Sequence, residues 1–448
     1  MLTFLHLSDI HCNQRHMQYW DPDEDLRREL LRDLPAVLPF DRPVDAVLVT
    51  GDIAFSGRQT EYQQISPWLA DLARLACGDP DKILTVPGNH DVDRSRVDGN
   101  RLLVQSQQAI RDAPESDLDQ EMEASLRDPG SGPLLREPMA AYQAFAHRFG
   151  CDTPPTLLWW DRVLPLGQGY SLRIRGVTSV LVTDQRDDEN AHRLAVPVQA
   201  FRLPREPNTV TMLLAHHPPL WMRQRDAIAE VLDARVNVQL FGHRHVFNAR
   251  PEAGNLALHA GAANPGRGPG WQPHYNLLTL DVVTGAAGRP VLRVTVRPRR
   301  WYASQQCFGV DTDAEGNETR GYDLVLPRAA GPVPVPAAGA VPGPVAPSAS
   351  DLLTGADLAQ LTELLVALIS SPDDRQLVHD ELPTAITGSV QRSARARTDV
   401  HNLLRTFQQR QQHQPWTLLV EILDSLWHGD IRVKRFTEAL VELGLIPR

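Results

Sequence analysis

Six short apolar runs, rich in Leu and in β-branched Val and Ile, restrict the fold of this chain more than any other feature. Each run is bounded by Gly, Pro or Asp, and helical segments lie between the runs. Runs of this kind predict buried strands, and their alternation with helices predicts an α/β fold. The runs are residues 2–7, 46–49, 83–86, 177–182, 210–214 and 236–241.

Polar side chains follow five of these runs within a few residues. In α/β sheets the loops that leave the carboxyl ends of the strands collect ligands, because the strand is rigid and the loop presents side chains. We therefore expect eight polar residues at one side of one sheet. They are Asp9, His11, Asp52, Asn89, His90, His216, His243 and His245.

The residue types of this set are those that bind divalent cations. Carboxylate, imidazole and amide oxygen, without thiolate, suit Mn²⁺, Fe²⁺ or Zn²⁺. In D-x-H and H-x-H the paired residues lie two apart, so that their side chains can converge on neighbouring ions. A central Asp52 can bridge two metals about 3.5 to 4 Å apart, the separation that clamps a phosphate during an in-line displacement.

The stretch G-N-H-D, residues 88–91, is the most specific of these motifs together with G-H-R-H, residues 242–245. Alone, each motif could be a turn that carries polar residues, and Gly88 would supply a positive backbone angle. Five motifs in order, each at a strand end, favour a metal centre over a set of turns and caps.

The ordered set of motifs resembles the calcineurin-like metallophosphoesterase superfamily. The resemblance extends from Asp9 to His245, and the motifs are closest to those of the bacterial branch that resembles class III cyclic-nucleotide phosphodiesterases and related nucleases. It implies a four-layer αββα sandwich with a dimetal site at one end of the sheets. It also implies that one metal is held by Asp9, His11, Asp52 and His245, and the other by Asp52, Asn89, His216 and His243.

By the same resemblance, His90 is catalytic and does not bind metal. It would face the substrate phosphate and either stabilise the developing charge or protonate the leaving group, while Asp91 would orient the His90 ring. Two cations would lower the pKa of a bridging water from 15.7 toward about 7, and the resulting hydroxide would attack phosphorus.

Two departures from related families narrow the reaction. Purple acid phosphatases carry an iron-ligating tyrosine three residues after the bridging aspartate, where this chain has Phe55, so a ferric site is not expected. Protein serine/threonine phosphatases continue the G-D motif with an acidic and basic pair, which this chain lacks. Manganese and ferrous iron are the favoured cofactors, with zinc as an alternative.

Composition sets outer limits on partners and location. The chain has 448 residues and a net charge of −10, so a generic electrostatic grip on nucleic acid or on an anionic membrane is not expected, although a local basic groove stays open. Its four cysteines show no C-x-x-C spacing, and its first residues show no basic leader. We expect a cytoplasmic protein, and the abundance of arginine, alanine and proline suggests a bacterial source.

A stretch rich in proline and alanine, residues 329–350, predicts an extended linker without a core. It divides the chain into a phosphoesterase domain, residues 1–328, and a tail, residues 351–448. Within the first domain, residues 98–165 are less regular, with a helical pattern near 138–149, and predict an insertion or cap beside the site.

The tail shows helical periodicity and predicts a small all-helical bundle. One interpretation is an oligomerisation or lid bundle. The tail also resembles the death-like effector-associated domains at the ends of bacterial conflict and signalling proteins. That resemblance implies a protein partner, with Arg392, Arg395 and Arg397 as contact candidates.

The sequence therefore predicts a metal-dependent phosphoesterase, with a nucleotide-type phosphodiester favoured as the substrate. The alternatives are a module that senses phosphate or nucleotide without turnover, and a phosphomonoesterase. Arg94, Asn264 and Arg267 are candidates for contact with the substrate phosphate. His217 is expected to pack behind the metal ligands rather than to bind metal.

Overall fold

The computed structural model describes residues 1–13, 21, 23–38, 42–184, 193–252, 254–265, 271–285, 289–326, 355–382, 393, 395–409, 415–427, 430–443 and 445–446. The chain divides into two compact units, Met1–Pro334 and Val335–Arg448. The linker predicted at residues 329–350 lies outside the described residues.

The strands of the first unit form two mixed sheets, of seven and six strands in the described part of the chain. The strands are β1 (Leu2–Leu7), β2 (Ala46–Val49), β3 (Ile83–Thr85), β4 (Trp159–Gly167), β5 (Tyr170–Val177), β6 (Thr209–Ala215), β7 (Val238–Phe241), β8 (Asn248–Glu252), β9 (Asn255–His259), β10 (His274–Thr284), β11 (Pro290–Tyr302), β12 (Cys307–Val310) and β13 (Arg320–Val325).

The first sheet has the order β12-β11-β10-β1-β2-β3, with β13 also paired to β11. Strands β1, β2 and β3 are parallel, with Leu5 opposite Val47 and Leu48 opposite Leu84. The second sheet has the order β4-β5-β6-β7-β9-β8, and its strands β5, β6, β7 and β9 are parallel. Parallel strands place their carboxyl ends at a common edge, which is where the predicted ligands lie.

The second half of β6, Met212–Ala215, shows why part of a strand can be apolar at every position. Met212 and Leu214 point into the core between the two sheets, whereas Leu213 and Ala215 pack under the outer helices. Successive strand residues face opposite sides, so a strand that is covered on both faces needs a continuous apolar run.

The helices of the first unit flank the sheets and complete the layers. They are α1 (Glu24–Val37), α2 (Gln59–Cys77), α3 (Arg94–Asp98), α4 (Arg101–Asp112), α5 (Leu118–Arg127), α6 (Ser131–Arg136), α7 (Ala140–His147), α8 (Val198–Phe201) and α9 (Arg225–Arg235). Two sheets with flanking helices confirm the predicted α/β sandwich.

One predicted strand was wrong. Residues 178–182 are not in a strand, because β5 leaves the sheet after Val177, its last residue paired with β6. Val180 and Val182 instead pack with Leu103, Ile110 and other residues of the helical region in a separate apolar cluster. The apolar run is buried as expected, but against helices.

The region predicted as an insertion, residues 98–165, is mainly helical. It contains α4 to α7, and helix α7 lies within the pattern noted at residues 138–149. Its last residues, from Trp159 onward, belong to β4 of the second sheet. The cap function assigned to this region stays a prediction.

The described part of the second unit is helical. Its helices are α10 (Gly355–Leu368), α11 (Pro372–Glu381), α12 (Ala396–Gln409), α13 (Pro415–Leu426) and α14 (Ile431–Glu442). Leu361, Leu365 and Leu368 form one buried face of α10, and the Ser371 side chain caps α11 by accepting from the Asp374 amide. A core of its own, which includes Phe407 and Phe436, holds this bundle together.

In the part of the chain that the structure describes, no helix has both the length and the apolar character needed to cross a membrane.

Candidate metal centre

The predicted ligands come from two sheets rather than one. Asp9, Asp52 and Asn89 follow β1, β2 and β3 of the first sheet, whereas His216 and His243 follow β6 and β7 of the second. The expectation of a single sheet was wrong because the sequence does not show which strands pair. The site lies where the parallel strands of both sheets end.

Five of the predicted ligands have left-handed backbone conformations, with φ between 50° and 66°. Such angles are uncommon outside glycine and cost of order 1–3 kcal/mol each unless the surroundings impose them. The hydrogen bonds from the Ile10 and His11 amides to the Asp52 carbonyl, at 2.8 and 2.9 Å, are part of what imposes them. The five residues are Asp9, His11, Asp52, His243 and His245.

Gly88 is required for close approach and not for a positive backbone angle. Its φ is −103°, which any residue adopts, but a Cβ there would lie 2.1 Å from Asp52 Oδ1. The left-handed glycine is Gly51, with φ of 94°, where a Cβ would lie 2.6 Å from His216 Nδ1. Both glycines let the chain pass directly behind metal-ligand candidates.

Ligand atoms converge around Asp52. Its Oδ2 atom lies 3.3 Å from His11 Nε2 and 3.2 Å from His216 Nε2, while its Oδ1 accepts a hydrogen bond from the His90 amide at 2.8 Å. The ligand atoms of Asp9, Asp52 and His216 lie within 4.8 Å of one another. Asp52 therefore lies between the two groups of candidate ligands, as a bridging carboxylate must.

The first group contains Asp9, His11 and His245, whose ligand atoms also lie within 4.8 Å of one another. His245 Nε2 lies 3.2 Å from Asp9 Oδ1. In the second group, Asn89 Oδ1 lies 3.2 Å from both His216 Nε2 and His243 Nδ1. The resemblance assigned the same two groups to the two metals.

Backbone carbonyls orient two of the imidazoles. His216 Nδ1 lies 2.8 Å from the Thr50 carbonyl, and His11 Nδ1 lies 3.1 Å from the Asn264 carbonyl. A carbonyl only accepts, so each Nδ1 carries a proton and donates it. Nε2 then donates to Asp52 while the ring is an imidazolium, and it offers a lone pair to a metal ion once that second proton has left. Outer hydrogen bonds of this kind are typical of metal-binding histidines.

The donor set fits divalent metal ions. Asp9 is fully buried, and among the described residues neither of its oxygens has a hydrogen bond of normal geometry. His245 Nε2, 3.2 Å from Asp9 Oδ1, is the one ion-pair contact that this carboxylate has among the described residues. A buried carboxylate with so little compensation is costly, so a cation at this position would stabilise it.

The electrostatics of the site depend on Asp52. Burial alone would raise the pKa of the Asp52 carboxyl, but His216 and His11 hold it well below its usual range. Burial lowers the pKa of the His11 and His216 imidazoles, yet the neighbouring Asp52 carboxylate outweighs burial and raises both to about 9. Without metal, protons on these histidines balance the buried carboxylates.

His90 lies at the rim of the ligand cluster. Its Nδ1 lies 2.8 Å from the Phe55 carbonyl, to which it donates, so its Nε2 has a lone pair when the ring is neutral. Burial lowers the pKa of the His90 imidazole, and the Asp52 carboxylate opposes that effect only in part.

Asp91 does not orient the His90 ring, contrary to the expectation. Its two oxygens accept from the amides of Ile53, Ala54 and Gly88 and from the Tyr62 hydroxyl, at 2.7 to 3.2 Å. Asp91 thus holds the Asp52 and Asn89 loops together. The His90 ring is instead oriented by its hydrogen bond to the Phe55 carbonyl.

The substrate-contact candidates differ in placement. Burial is the main cause that lowers the pKa of His90 and of His217, and the Arg94 charge adds a smaller lowering to each, which places its guanidinium in the neighbourhood of both imidazoles. Asn264 lies next to the site, but its amide nitrogen donates to Asp23 Oδ2 at 3.0 Å and its main chain contacts His11. Arg267 lies outside the described residues.

Three site residues were not found from the sequence. Thr50 orients His216 through its carbonyl, Ser179 forms a 2.8 Å hydrogen bond with His217 Nδ1, and Trp221 packs on His243 with ring centroids 4.3 Å apart. Thr50 directly precedes the G-D motif, which is a usable signal. No sequence signal identifies Ser179 and Trp221, because their contacts depend on the tertiary fold.

Comparison with known proteins identifies a family and a related sequence. A family profile described as calcineurin-like phosphoesterase matches residues 2–247. The uncharacterized metallophosphoesterase-like protein YydB of Bacillus subtilis is 23% identical over 254 residues, which are 54% of this chain and 49% of that protein. The chain thus spans about half the length of this relative.

Similar solved structures include Vps29 of Chaetomium thermophilum, at 13% identity and a TM-score of 0.29, covering 73% of this chain and 98% of that one. A conserved uncharacterized protein of Streptococcus pneumoniae TIGR4, described as a predicted phosphoesterase, is 15% identical with a TM-score of 0.27. It covers 72% of this chain and 97% of that one.

Proposed function

The chain belongs to the calcineurin-like phosphoesterase family, and from that premise we propose that it is a dimetal phosphodiesterase acting on a nucleotide-type diester. The observation that carries the proposal is the convergence of ligand atoms on Asp52. One of its oxygens lies 3.2 to 3.3 Å from two imidazole nitrogens, and its other oxygen accepts the His90 amide.

Asp9, His11, Asp52 and His245 would hold one ion, and Asp52, Asn89, His216 and His243 the other. Two divalent ions, when bound, would offset the charge on the phosphate oxygens and activate a water molecule as the nucleophile. The oxygen and nitrogen donor set favours Mn²⁺ or Fe²⁺, with Zn²⁺ as the alternative.

His90 has the geometry of an acid toward the leaving group. Because Nδ1 donates to the Phe55 carbonyl, the Nε2 atom can give up a proton only when the ring is an imidazolium. The lowered pKa of His90 means that this form is gained as pH falls, so protonation of poor leaving groups should weaken as pH rises.

Arg94 supplies a fixed positive charge beside His90 and His217. We propose that its guanidinium contacts a phosphate oxygen of the substrate, where a charge-assisted hydrogen bond would position the ester.

The preference for a diester comes from the motif pattern, since a monoester would need the same two ions. The test is to compare Mn²⁺-supported hydrolysis of bis(p-nitrophenyl) phosphate with that of p-nitrophenyl phosphate. A panel of cyclic nucleotides and single-stranded DNA follows, with Asp52→Asn as the inactive control. Faster hydrolysis of the monoester would overturn the diester assignment. No hydrolysis of either ester by metal-loaded protein would favour the sensing alternative.

We further propose that residues 1–328 are the catalytic domain and residues 351–448 recruit a protein partner. Support comes from the separate core of the tail, and from the exposed Arg395 and Arg397 on its described surface, where Arg397 pairs with Glu363 at 2.8 Å. Arg392 lies outside the described residues. Light scattering of the full chain would test the alternative, since a stable dimer would favour simple oligomerisation.

All four cysteines, Cys12, Cys77, Cys151 and Cys307, are free thiols. Unpaired thiols persist in reducing compartments, which supports our proposal of a cytoplasmic location.

A further inference from the structure

Two aromatic rings lie against opposite halves of the ligand cluster, and neither has a part in the chemistry proposed above. The Phe55 ring lies 5.2 Å from the His90 ring and 6.4 Å from the His11 ring, between centroids. The Trp221 ring lies 4.3 Å from the His243 ring and 6.4 Å from the His217 ring.

The Phe55 ring is held at the site but is not packed away. Its amide donates to the Cys12 carbonyl at 3.0 Å and its carbonyl accepts from His90, so the backbone is fixed on both sides of the residue. The residue is nevertheless 43% exposed, while Ile53 and Ala54 before it are buried completely. An aromatic ring in this setting offers a rigid flat surface at the edge of the cluster.

Trp221 has a similar setting on the other side. It ends the short helix Pro219–Trp221, and its amide and carbonyl are bonded to the Pro218 carbonyl and the Leu194 amide. The indole ring is nearly perpendicular to the His243 ring, at 86°, and the residue is half-buried. The indole N–H is buried and has no hydrogen-bond partner among the described residues.

The two rings belong to different halves of the centre. His11 shares its ligand group with Asp9 and His245, whereas His243 shares its group with His216 and Asn89. A phosphate held between the two halves would therefore have Phe55 on one side and Trp221 on the other. His90, which faces the leaving group in the proposed function, lies on the Phe55 side.

We propose that Phe55 and Trp221 are specificity-determining residues that stack the two planar substituents of a phosphodiester. Phe55 receives the leaving group and Trp221 receives the substituent that stays on phosphorus. The substrate class is then a diester with a nucleobase on at least one side, rather than an alkyl or glycerol diester. This assignment rests on the proposed diesterase function. Stacking of a base on an aromatic side chain contributes about 5- to 150-fold in affinity.

The test uses the full chain loaded with Mn²⁺ and two diesters that share one leaving group. They are thymidine 5′-(p-nitrophenyl phosphate) and methyl p-nitrophenyl phosphate. Trp221→Leu should raise KM at least about 5-fold for the thymidine ester and leave the methyl ester unchanged. Phe55→Leu should raise KM for both esters, because both have the p-nitrophenyl leaving group. Phe55→Tyr, which keeps an aromatic ring, should have KM values close to those of the wild type.

Controls separate stacking from damage to the site. Phe55→Leu keeps the main-chain carbonyl that orients His90, and Leu220→Ala is a matched control because it removes an exposed apolar side chain next to Trp221 in the sequence. All variants should contain the same metal by elemental analysis. Wild-type KM values in both Leu variants, with hydrolysis intact, would overturn the stacking assignment and leave the diesterase proposal standing.

A binding measurement keeps the assignment testable even without turnover. Calorimetry should show that wild-type protein binds thymidine 5′-monophosphate at least about 5-fold more tightly than glycerol 3-phosphate, and that Trp221→Leu removes the difference. Equal affinities for the two monoesters would overturn the stacking assignment, whereas a clear preference without any esterase activity would support it and overturn the catalytic proposal.

Discussion

Replacing Asp52 with Asn should change the protonation of two histidines in the metal-free protein. Asp52 Oδ2 lies 3.3 Å from His11 Nε2 and 3.2 Å from His216 Nε2. Burial lowers the pKa of both imidazoles, and this carboxylate more than reverses that effect, so that both rise to about 9. In Asp52→Asn only burial and weaker interactions remain, and both pKa values should fall well below 9.

The size of the effect follows from these values. An imidazole with a pKa of about 9 is about 97% protonated at pH 7.5, whereas one with the ordinary value near 6.5 is about 9% protonated. The metal-free wild-type protein should therefore carry close to two more protons in this site than Asp52→Asn at pH 7.5. Metal binding needs neutral imidazoles, so these protons must be released when metal binds.

The assay is an NMR titration of the histidine rings in chelator-treated protein. Two imidazoles of the wild-type protein should titrate near pH 9, and neither should do so in Asp52→Asn. Asp323→Asn is a matched control, since Asp323 pairs with Arg293 at 2.8 Å on the surface and should leave both titrations unchanged. If no imidazole of the folded wild-type protein titrates above about pH 8, the inferred contacts around Asp52 are wrong.

A second readout is metal affinity. Loss of an outer hydrogen-bond partner of a ligand typically costs 10- to 100-fold in affinity, and loss of the shared carboxylate should cost more. Retention of both metals and normal turnover by Asp52→Asn would contradict its role as the bridging ligand.

Three further predictions concern other parts of the site. His90→Ala should keep both metals and lower kcat by about 10²- to 10⁴-fold, most for diesters with poor leaving groups; an equal loss for good and poor leaving groups would exclude a role as the acid. Gly88→Ala should destabilise the fold by about 1–3 kcal/mol and displace Asp52, since its Cβ would lie 2.1 Å from Oδ1. The control is Gly78→Ala, where φ is 72° and the space around a Cβ is open. This variant should be less stable in urea unfolding but should bind metal as the wild type does. Burial lowers the pKa of the His6 imidazole to about 4 in the folded protein. Between pH 6.5 and pH 4 this imidazole is therefore protonated in the unfolded chain but neutral in the folded one, so the free energy of unfolding decreases as pH falls through that range. The loss should reach about 3 kcal/mol, and His6→Gln should reduce the difference between urea unfolding at pH 7 and pH 4.5.

The predicted strands at 2–7, 46–49, 83–86, 210–214 and 236–241 all correspond to observed strands within two or three residues. These strands are buried on both faces, and that environment strongly favours apolar side chains, so the sequence pattern predicts them well. The run at 177–182 has the same composition but packs against helices of the 98–165 region. The apolar composition of a run therefore predicts that it is buried, but not whether it packs in a sheet or against helices.

The eight polar residues at the strand ends could be identified because divalent cations need a narrow set of donors, and the motifs keep their order along the chain. The relative positions of these residues could not be predicted from the sequence. Asp91 shows the difference, because it was assigned to the chemistry and its oxygens are instead occupied by hydrogen bonds that hold loops in place, whereas substrate contact by Asn264, whose amide nitrogen donates to Asp23, stays a prediction. A sequence shows which donors are present but not which are already satisfied.

The sequence by itself determined the fold class, the identity of the candidate ligands and the presence of a separate helical tail. Each of these depends on side-chain chemistry or on periodicity, which are local properties. Only the tertiary structure decided that two sheets share the site, that the Phe55 carbonyl orients His90, and that Phe55 and Trp221 lie against opposite halves of the ligand cluster. The Phe55–His90 and Trp221–His243 contacts join residues 35 and 22 positions apart, and such contacts arise only when the strands pair and the sheets pack.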